Sequence, residues 1–453
     1  MTLDKNTGVN KDEEALGLHR AYRGKIQVMP KCPMRSFNDF AVWYTPGVAA
    51  PSRAIAARKE LVLDYTNRGN TIAIVSDGSR VLGLGDIGPE AAMPVMEGKS
   101  LLFKYLGGVD AVPLCLDCHA PDEITAVVRA LTPTFGGINL EDIATPKCFR
   151  VLETLRTTLP IPVWHDDQQG TATVVLAGLL NALEIVGKTL PKVRIALVGI
   201  GAANTAVYRL LVAEGADPGA VVACDRQGTL HKHRGDIEAQ AVTLREKWEI
   251  CRQTNGEDII GGVKEALRGA DVCLAFSRSG PGVITTDAIK AMAGNAIVFA
   301  CANPVPEILP HMARAAGARI VATGRSDLPN QVNNSLAFPG VFRGVLDVRA
   351  TSITDSIARA GAQALAAYGR TLKFSDETIL PRTDDMTAAA TVAAAVGMEA
   401  QHQGLAGVTR RRRELFEGAM QRIVSGRRAH DTLLAEGCLT VDDLHPANVA
   451  DLS

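Results

Sequence analysis

The sequence has few aromatic residues and almost no net charge. Phe, Trp and Tyr make up 4% of its 453 residues, so the core must be built from Ala, Val, Leu and Ile. Lys plus Arg number 48 against 49 Asp plus Glu, which leaves a formal net charge of −1. Proteins dedicated to nucleic acid are usually basic, so this balance argues against a nucleic-acid partner. Apolar residues at 47% are typical of a globular chain and exclude a disordered one.

The sequence also lacks a secretory signal and an uninterrupted membrane span. Residues 1–20 are polar and of mixed charge, without the apolar stretch of a signal peptide. The most apolar long stretch, residues 171–187, is interrupted by Asn181 and Glu184, which disfavours insertion into a membrane. Nine cysteines follow no disulfide spacing, and an odd number cannot all pair within one chain. These absences predict a cytoplasmic protein with reduced thiols and no membrane partner.

Apolar strand patterns alternate with helix patterns along most of the chain, after a mixed helix and loop region at residues 1–70. Strands are predicted at 71–76, 110–116, 161–165, 193–201, 220–225, 271–276, 296–300 and 318–323. Such alternation predicts an α/β fold with largely parallel sheets. We expect an N-terminal α/β catalytic domain (1–168), a Rossmann-type dinucleotide-binding domain (169–345) and a helical C-terminal segment (346–453).

The sharpest local motif is a glycine-rich turn that directly follows an apolar strand. Gly199 allows a tight turn, Gly201 lets the backbone approach a pyrophosphate, and the following helix offers its N–H groups to the phosphates. Asp225 ends the next strand, where its carboxylate can accept a ribose hydroxyl. The alternative is an ordinary strand–helix turn. The predicted cofactor contacts here are Gly199, Gly201, Ala202, Ala203, Asn204, Asp225 and Arg226.

The same strand end bears on the choice between NAD and NADP. The Asp225 carboxylate can bind the 2′-hydroxyl of NAD and would repel the 2′-phosphate of NADP. Arg226, Lys232 and Arg234 follow closely, however, and each can pair with a phosphate. The pattern favours NAD slightly and leaves both cofactors open.

Two acidic pairs follow apolar strands in the N-terminal half. Glu141 and Asp142 lie in GGINLEDI, and Asp166 and Asp167 lie in PVWHDDQQG. Carboxylates at the mouth of an α/β sheet suit a hard cation such as Mg²⁺ or Mn²⁺. Adjacent ligands require a turn, because side chains alternate between the two faces of an extended strand. Helix capping by these acids is the alternative interpretation.

Taken together, these segments resemble the malic enzyme family. YTPGV (44–48) resembles its tyrosine motif, VMEGKSLLFK (95–104) its lysine motif, and GGINLEDI and HDDQQGTA its two metal-ligand segments. ANPVPEI (302–308) and TGRSDLPNQVNNSLAFPGVFRG (323–344) resemble its cofactor and substrate segments. The resemblance covers roughly residues 20–370. It indicates the short bacterial type, without the phosphotransacetylase-like extension of long members.

The resemblance implies oxidative decarboxylation of L-malate to pyruvate and CO₂, with NAD or NADP as oxidant and Mg²⁺ or Mn²⁺ as metal. Lys99 is then the base for the C2 hydroxyl, and Tyr44 is the acid that protonates the enolate at C3. The metal ligands are Glu141, Asp142 and Asp167. Asn303, Asn333 and Asn334 are expected to hold the substrate carboxylate and the nicotinamide ribose, and Arg80 to bind malate.

Three features depart from the family pattern: Gln169 stands where most bacterial members have a histidine, Asn204 replaces Gly or Ala, and FSRSGPGV (276–283) differs from the usual segment. Two other functions stay open. One is a malolactic reaction that converts malate to lactate without net cofactor reduction, and the other is a catalytically silent regulatory protein that binds a dinucleotide. We also expect a homodimer or a higher homo-oligomer.

Overall fold

The computed structural model describes residues 11–81, 83–372 and 374–439. Its strands are β1 (Thr71–Ser76), β2 (Asp110–Cys115), β3 (Gly137–Leu140), β4 (Val163–His165), β5 (Ile195–Val198), β6 (Val221–Asp225), β7 (Gly228–Thr229), β8 (Val272–Ala275), β9 (Ala296–Ala300) and β10 (Ala318–Thr323). Its helices are α1 (Lys11–Tyr22), α2 (Phe40–Trp43), α3 (Ala49–Ala57), α4 (Val62–Tyr65), α5 (Pro89–Gly107), α6 (Pro121–Leu131), α7 (Lys147–Thr158), α8 (Thr171–Val186), α9 (Ala202–Ala213), α10 (Gly235–Glu238), α11 (Arg245–Gln253), α12 (Val263–Leu267), α13 (Thr286–Lys290), α14 (Pro310–Ala315), α15 (Phe338–Asp347), α16 (Asp355–Arg370), α17 (Met386–His402) and α18 (Arg412–Ala435).

The first sheet is parallel and has the strand order β2-β1-β3-β4. Successive residues of β1 face opposite layers, as the two-residue period of a strand requires. Ile72 and Ile74 pack in the core cluster that contains Phe103 of α5, whereas Ala73 and Val75 pack in the cluster that contains Val128 of α6. Helices therefore cover both faces of this sheet, which is the usual arrangement for parallel strands.

The second sheet has the order β10-β9-β8-β5-β6-β7, and only the short β7 runs antiparallel. The chain runs outward from β5 through β6 to one edge, then returns to β8 and runs to the other edge. The strand order thus reverses beside β5. Ligands of open α/β sheets bind in the crevice at this switch point, outside the carboxyl ends of the strands.

The helices that follow the second sheet pack against earlier helices of the chain. Helix α16 packs against α8, α17 packs against α15, α16 and α18, and α18 also contacts α5. By length and composition alone, Asp166–Val186 could span a membrane, and 78% of its apolar window is buried inside the protein. It is the one such segment among the described residues.

The predicted fold class is confirmed, since two mainly parallel sheets are followed by helices. The predicted bounds of β9 and β10 agree with the structure, and β5 is shorter than the apolar run at 193–201. The sequence did not predict β7, because two residues carry no periodicity. The domain limits 1–168, 169–345 and 346–453 stay predictions, and residues 1–10 and 440–453 lie outside the described part.

Candidate active site

Three carboxylates meet at the carboxyl ends of β3 and β4. Glu141 and Asp142 directly follow β3, and Asp167 follows β4 by two residues. Each of the three residues offers a carboxylate oxygen, and these oxygens lie within 4.8 Å of one another. Both acidic pairs lie on turns, as adjacent ligands require: Asp142 has a φ of 54°, and Asp166–Gly170 forms one π-helical turn.

Neutral donors orient two of these carboxylates. The backbone N–H of Asp142 donates to Oδ2 of Asp167 at 2.8 Å, and the side-chain amide of Asn139 donates to Oε2 of Glu141 at 2.9 Å. Neither donor carries a full charge, so these two contacts position the carboxylates without neutralising them. Oriented carboxylate ligands are a general feature of metal sites.

The charge of the site suits a divalent cation. Burial raises the pKa of Glu141 well above its usual range, despite the charge of Lys99, and the neighbouring carboxylates add to the increase. Burial also lowers the pKa of His165 to about 4, so this imidazole is uncharged at neutral pH. Lys99 is then the cation that contacts the acids directly. Crowded oxygen ligands with excess negative charge are what Mg²⁺ and Mn²⁺ prefer.

Lys99 lies on the buried face of α5, where it follows Met96 by three residues and precedes Phe103 by four. Its Nζ is 2.7 Å from Oδ2 of Asp166 and 3.0 Å from Oε1 of Glu141. Burial disfavours the ammonium, but these two carboxylates outweigh it and raise the pKa of Lys99 above its usual range. The amine therefore contacts the carboxylate cluster as an ion pair.

Asp166 is the residue that the sequence analysis did not assign. It is fully buried, and its Oδ1 accepts a hydrogen bond from the Trp164 indole at 3.1 Å while Oδ2 contacts Lys99. A Cβ on Gly170 would lie 2.0 Å from Oδ1, so this turn requires glycine. Two adjacent acids on a turn face different partners, and their spacing alone does not indicate which faces a cation.

Arg80 lies at the edge of the acidic cluster, and Asn303 lies against the loop that follows Arg80. The backbone N–H of Arg80 donates to the carbonyl of Asp142 at 3.0 Å. Burial raises the pKa of Asp167, and the positive charge of the exposed Arg80 guanidinium acts in the opposite direction. Asn303 lies against the loop that follows Arg80, because a Cβ on Gly83 would meet the Asn303 carbonyl at 2.6 Å. The structure thus brings these two predicted substrate residues to the same loop region.

The two adjacent asparagines differ in their surroundings. Asn333 caps a short 3₁₀ turn, and its Oδ1 accepts from the N–H and the hydroxyl of Ser335 at 2.9 and 2.7 Å. Asn334 lies beside the acidic turn, since its Cβ is 3.3 Å from a Cβ built on Gly170. Of the pair, Asn334 is thus the residue that contacts the turn carrying Asp167.

Tyr44 is the predicted site residue that the structure does not bring to the cluster. The residue is 68% exposed, and its hydroxyl makes no hydrogen bond to the described residues. It lies in the segment 11–65, in which no residue is buried. A single copy of the chain therefore leaves this tyrosine in solvent.

The glycine-rich turn at the end of β5 has the shape that a dinucleotide needs. Gly199 has a φ of 85°, and a Cβ there would lie 2.6 Å from the carbonyl of Phe276. A Cβ on Gly201 would meet nothing within 4 Å, so open space lies in front of α9, which starts with Ala202 and Ala203. Backbone N–H groups at such a helix start suit a pyrophosphate.

Asn204 supports this turn from inside the protein. It is fully buried, and its side-chain amide donates to the carbonyls of Val198, Gly199 and Leu274. The amide thus ties the turn to β5 and β8 at the position where the family has Gly or Ala. The asparagine therefore has a structural role in this turn.

Comparisons with known proteins agree along most of the chain. The family model "Malic enzyme, N-terminal domain" matches residues 23–156, and "Malic enzyme, NAD binding domain" matches residues 168–401. The bifunctional malic/malolactic enzyme of Bacillus subtilis is 45% identical over 397 residues, which cover 88% of this chain and 95% of that protein. The NAD-dependent malic enzyme of Geobacillus stearothermophilus is 44% identical, with 84% and 78% covered. The NADP-dependent malic enzyme of Escherichia coli is 41% identical, with 87% and 53% covered.

Solved structures give the same result. A malic enzyme from Entamoeba histolytica superimposes with a TM-score of 0.91 at 42% identity, covering 99% of this chain and 97% of that one. A malic enzyme from Pyrococcus horikoshii gives 0.88 at 46% identity, with 98% and 99% covered. With both domain models matched in order and relatives above 40% identity, the chain belongs to the malic enzyme family.

Proposed function

We propose that this protein oxidises malate to pyruvate and CO₂ and reduces NAD(P), with Mg²⁺ or Mn²⁺ as the metal. The observation that carries the proposal is the contact between a buried amine and the acidic cluster, 3.0 Å from Lys99 to Glu141. This contact would bring a proton acceptor next to any substrate oxygen bound at the cluster. The glycine-rich turn of β5 supports a dinucleotide as hydride acceptor.

A divalent cation held by Glu141, Asp142 and Asp167 would supply positive charge to the substrate, and a nicotinamide cofactor would supply the hydride acceptor. Lys99 takes the C2 hydroxyl proton, for which its amine must first be deprotonated. A cation bound to Glu141 would weaken one of the two carboxylate contacts that favour the charged amine. Tyr44 donates a proton to C3 after CO₂ has left. The proton lost from oxygen is thus matched by the one gained at carbon. Arg80 and Asn334 hold the carboxylates.

The test is an incubation of the pure protein with malate, Mn²⁺ and either NAD⁺ or NADP⁺, with absorbance and products followed together. We expect one pyruvate for each reduced cofactor, and no reaction when the metal is chelated. Lactate without net cofactor reduction would indicate the malolactic reaction, which the name of the Bacillus subtilis relative keeps as a second candidate. Cofactor binding without any product would indicate the silent regulatory protein.

We further propose that the chain forms a homodimer or a higher homo-oligomer through the segment 11–65. Monomeric proteins rarely expose large contiguous apolar surface. This segment exposes an unusual set of large apolar side chains: Leu16, Leu18, Tyr22, Ile26, Val28, Met29, Met34, Phe37, Phe40, Val42, Trp43, Tyr44, Val48 and Tyr65. A second copy that covers them would also change the surroundings of Tyr44, which a single copy leaves in solvent.

Sedimentation of the wild type and of a Phe37→Asp, Val42→Asp variant tests this assembly. We expect the wild type to sediment as a dimer or larger and the variant to dissociate, because two charges would enter an apolar interface. Val242→Asp is the control, since Val242 is 95% exposed but lies outside the segment. A monomeric wild type, or a variant with unchanged mass, would contradict the proposal.

We also propose a cytoplasmic location. All nine cysteines lie in the described residues and are free thiols, and five of them are buried. Reduced cysteines without disulfides are typical of the cytoplasm.

A further inference from the structure

The carboxylate of Asp225 is already fully occupied at the end of β6. Its Oδ1 accepts from the backbone N–H of Gln227 at 2.8 Å and from Nη1 of Arg234 at 3.2 Å. Its Oδ2 accepts from Nη2 of Arg234 at 3.0 Å and contacts Nζ of Lys247 at 2.5 Å. A carboxylate offers about four lone-pair positions. A ribose hydroxyl that donates to Asp225 would have to displace one of these four donors.

The cations around Asp225 differ in how firmly they are held. Arg234 is nearly buried and also forms a two-pronged pair with Asp236, at 2.7 Å for each contact. Lys247 lies on α11, and 24% of its side chain is exposed. Arg226 is exposed and makes no ion pair or hydrogen bond with the described part of the chain. Asp225 and Asp236 are thus matched by Arg234 and Lys247, whereas Arg226 pairs with no acid among the described residues.

This cluster adjoins the glycine-rich turn. The N–H of Gly199 donates to the carbonyl of Cys224 at 2.8 Å, and Cys224 immediately precedes Asp225. A dinucleotide with its pyrophosphate at the turn extends its adenosine ribose toward the end of this strand. The groups around Asp225 would therefore lie near the ribose 2′ position of such a dinucleotide.

We propose that this end of the site takes a 2′-phosphate, so that the chain prefers NADP over NAD. Arg226 and Lys247 bind the phosphate, and Asp225 and Arg234 act as positioning residues that hold Lys247 in place. A 2′-phosphate carries about −1.5 to −2 charges, which two partly exposed cations can match. This inference rests on the proposed function and reverses the slight preference for NAD that Asp225 suggests in the sequence.

The test is calorimetric titration of the protein with NADP⁺ and with NAD⁺, without malate. We expect the wild type to bind NADP⁺ at least tenfold more tightly, which corresponds to about 1.4 kcal/mol. Arg226→Ser and Lys247→Met should each remove most of this difference and leave the NAD⁺ affinity within about twofold. Lys232→Met is the matched control, because Lys232 pairs with Asp258 at 2.7 Å instead of with Asp225.

Equal affinity for the two cofactors, or tighter binding of NAD⁺, would overturn the inference. Equal weakening of both cofactors by the two variants would also overturn it, because the cations would then act on a part that NAD⁺ and NADP⁺ share. In each case malate oxidation with NAD⁺ would leave the proposed function intact. Absence of binding by both cofactors would instead contradict the proposed function itself.

Discussion

An Asp167→Asn variant is expected to lose Mn²⁺ binding and malate oxidation together. Asp167 is one of three acids whose oxygens lie within 4.8 Å of one another, and the amide retains its shape but not its charge. Loss of an outer partner typically weakens metal binding by roughly 10–100-fold, and loss of a direct anionic ligand should exceed that. Titration with Mn²⁺, followed by the electron paramagnetic resonance of the free ion, measures the affinity separately from turnover.

Asp166→Asn makes the same chemical change one residue earlier and serves as the control. Asp166 contacts Lys99 and Trp164 and is not one of the three clustered ligands. We therefore expect this variant to retain its Mn²⁺ affinity within a few-fold, while turnover falls because the Lys99 amine is no longer held. If Asp166→Asn loses the metal and Asp167→Asn keeps it, the assignment of the two acids is wrong.

Short sequence patterns predicted the strands, turns and helix starts that depend on contacts between residues close in sequence. The bounds of β1 and the start of α9 follow from apolar runs and a glycine-rich turn, each of which lies within a few residues of chain. The two acidic pairs also predicted turns at the ends of strands. In these cases hydrogen-bonding geometry and side-chain periodicity act over a single element, so the sequence carries enough information.

Contacts between distant residues were the part that could not be predicted. Lys99 and Asp166 are 67 residues apart, and Asp225 meets Lys247 across β7, α10 and the start of α11. These contacts determine the protonation state of Lys99 and whether the Asp225 carboxylate can accept a further hydrogen bond. A motif identifies residue types. The hydrogen-bond or ion-pair partner of each polar side chain follows only from the way distant segments pack together.

The segment 11–65 shows a second limit on what the sequence can predict. The motif YTPGV assigns Tyr44 to the site, yet no residue of this segment is buried. A segment without buried side chains gains little hydrophobic stabilisation from the rest of its own chain. Under the proposed assembly, we expect contacts with a second copy to set its final position, and neither the pattern nor the fold of one copy specifies those contacts.

Substitution of Lys99 and of Tyr44 should separate the two proton transfers. Lys99→Ala removes the acceptor of the hydroxyl proton, so malate oxidation and its reverse, oxaloacetate reduction, should both fall by roughly 10²–10⁴-fold. Tyr44→Phe removes only the phenol proton. It should slow the exchange of pyruvate C3 hydrogens with deuterated water by a comparable factor, while oxaloacetate reduction falls far less, because that reaction forms no enolate.

Matched controls exist for both residues in the same elements. Lys104 lies on the same helix as Lys99 but pairs with Asp110 near the surface at 2.7 Å, and Tyr65 is an exposed tyrosine of the same segment as Tyr44. Lys104→Ala and Tyr65→Phe should leave both reactions within a few-fold of the wild type. Proton-exchange spectra and oxaloacetate reduction rates are compared for all four variants with metal and cofactor present. Equal losses in the two reactions for both Lys99→Ala and Tyr44→Phe would contradict the proposed division of labour. Separate roles require that each substitution affects hydride transfer and protonation at C3 to different extents.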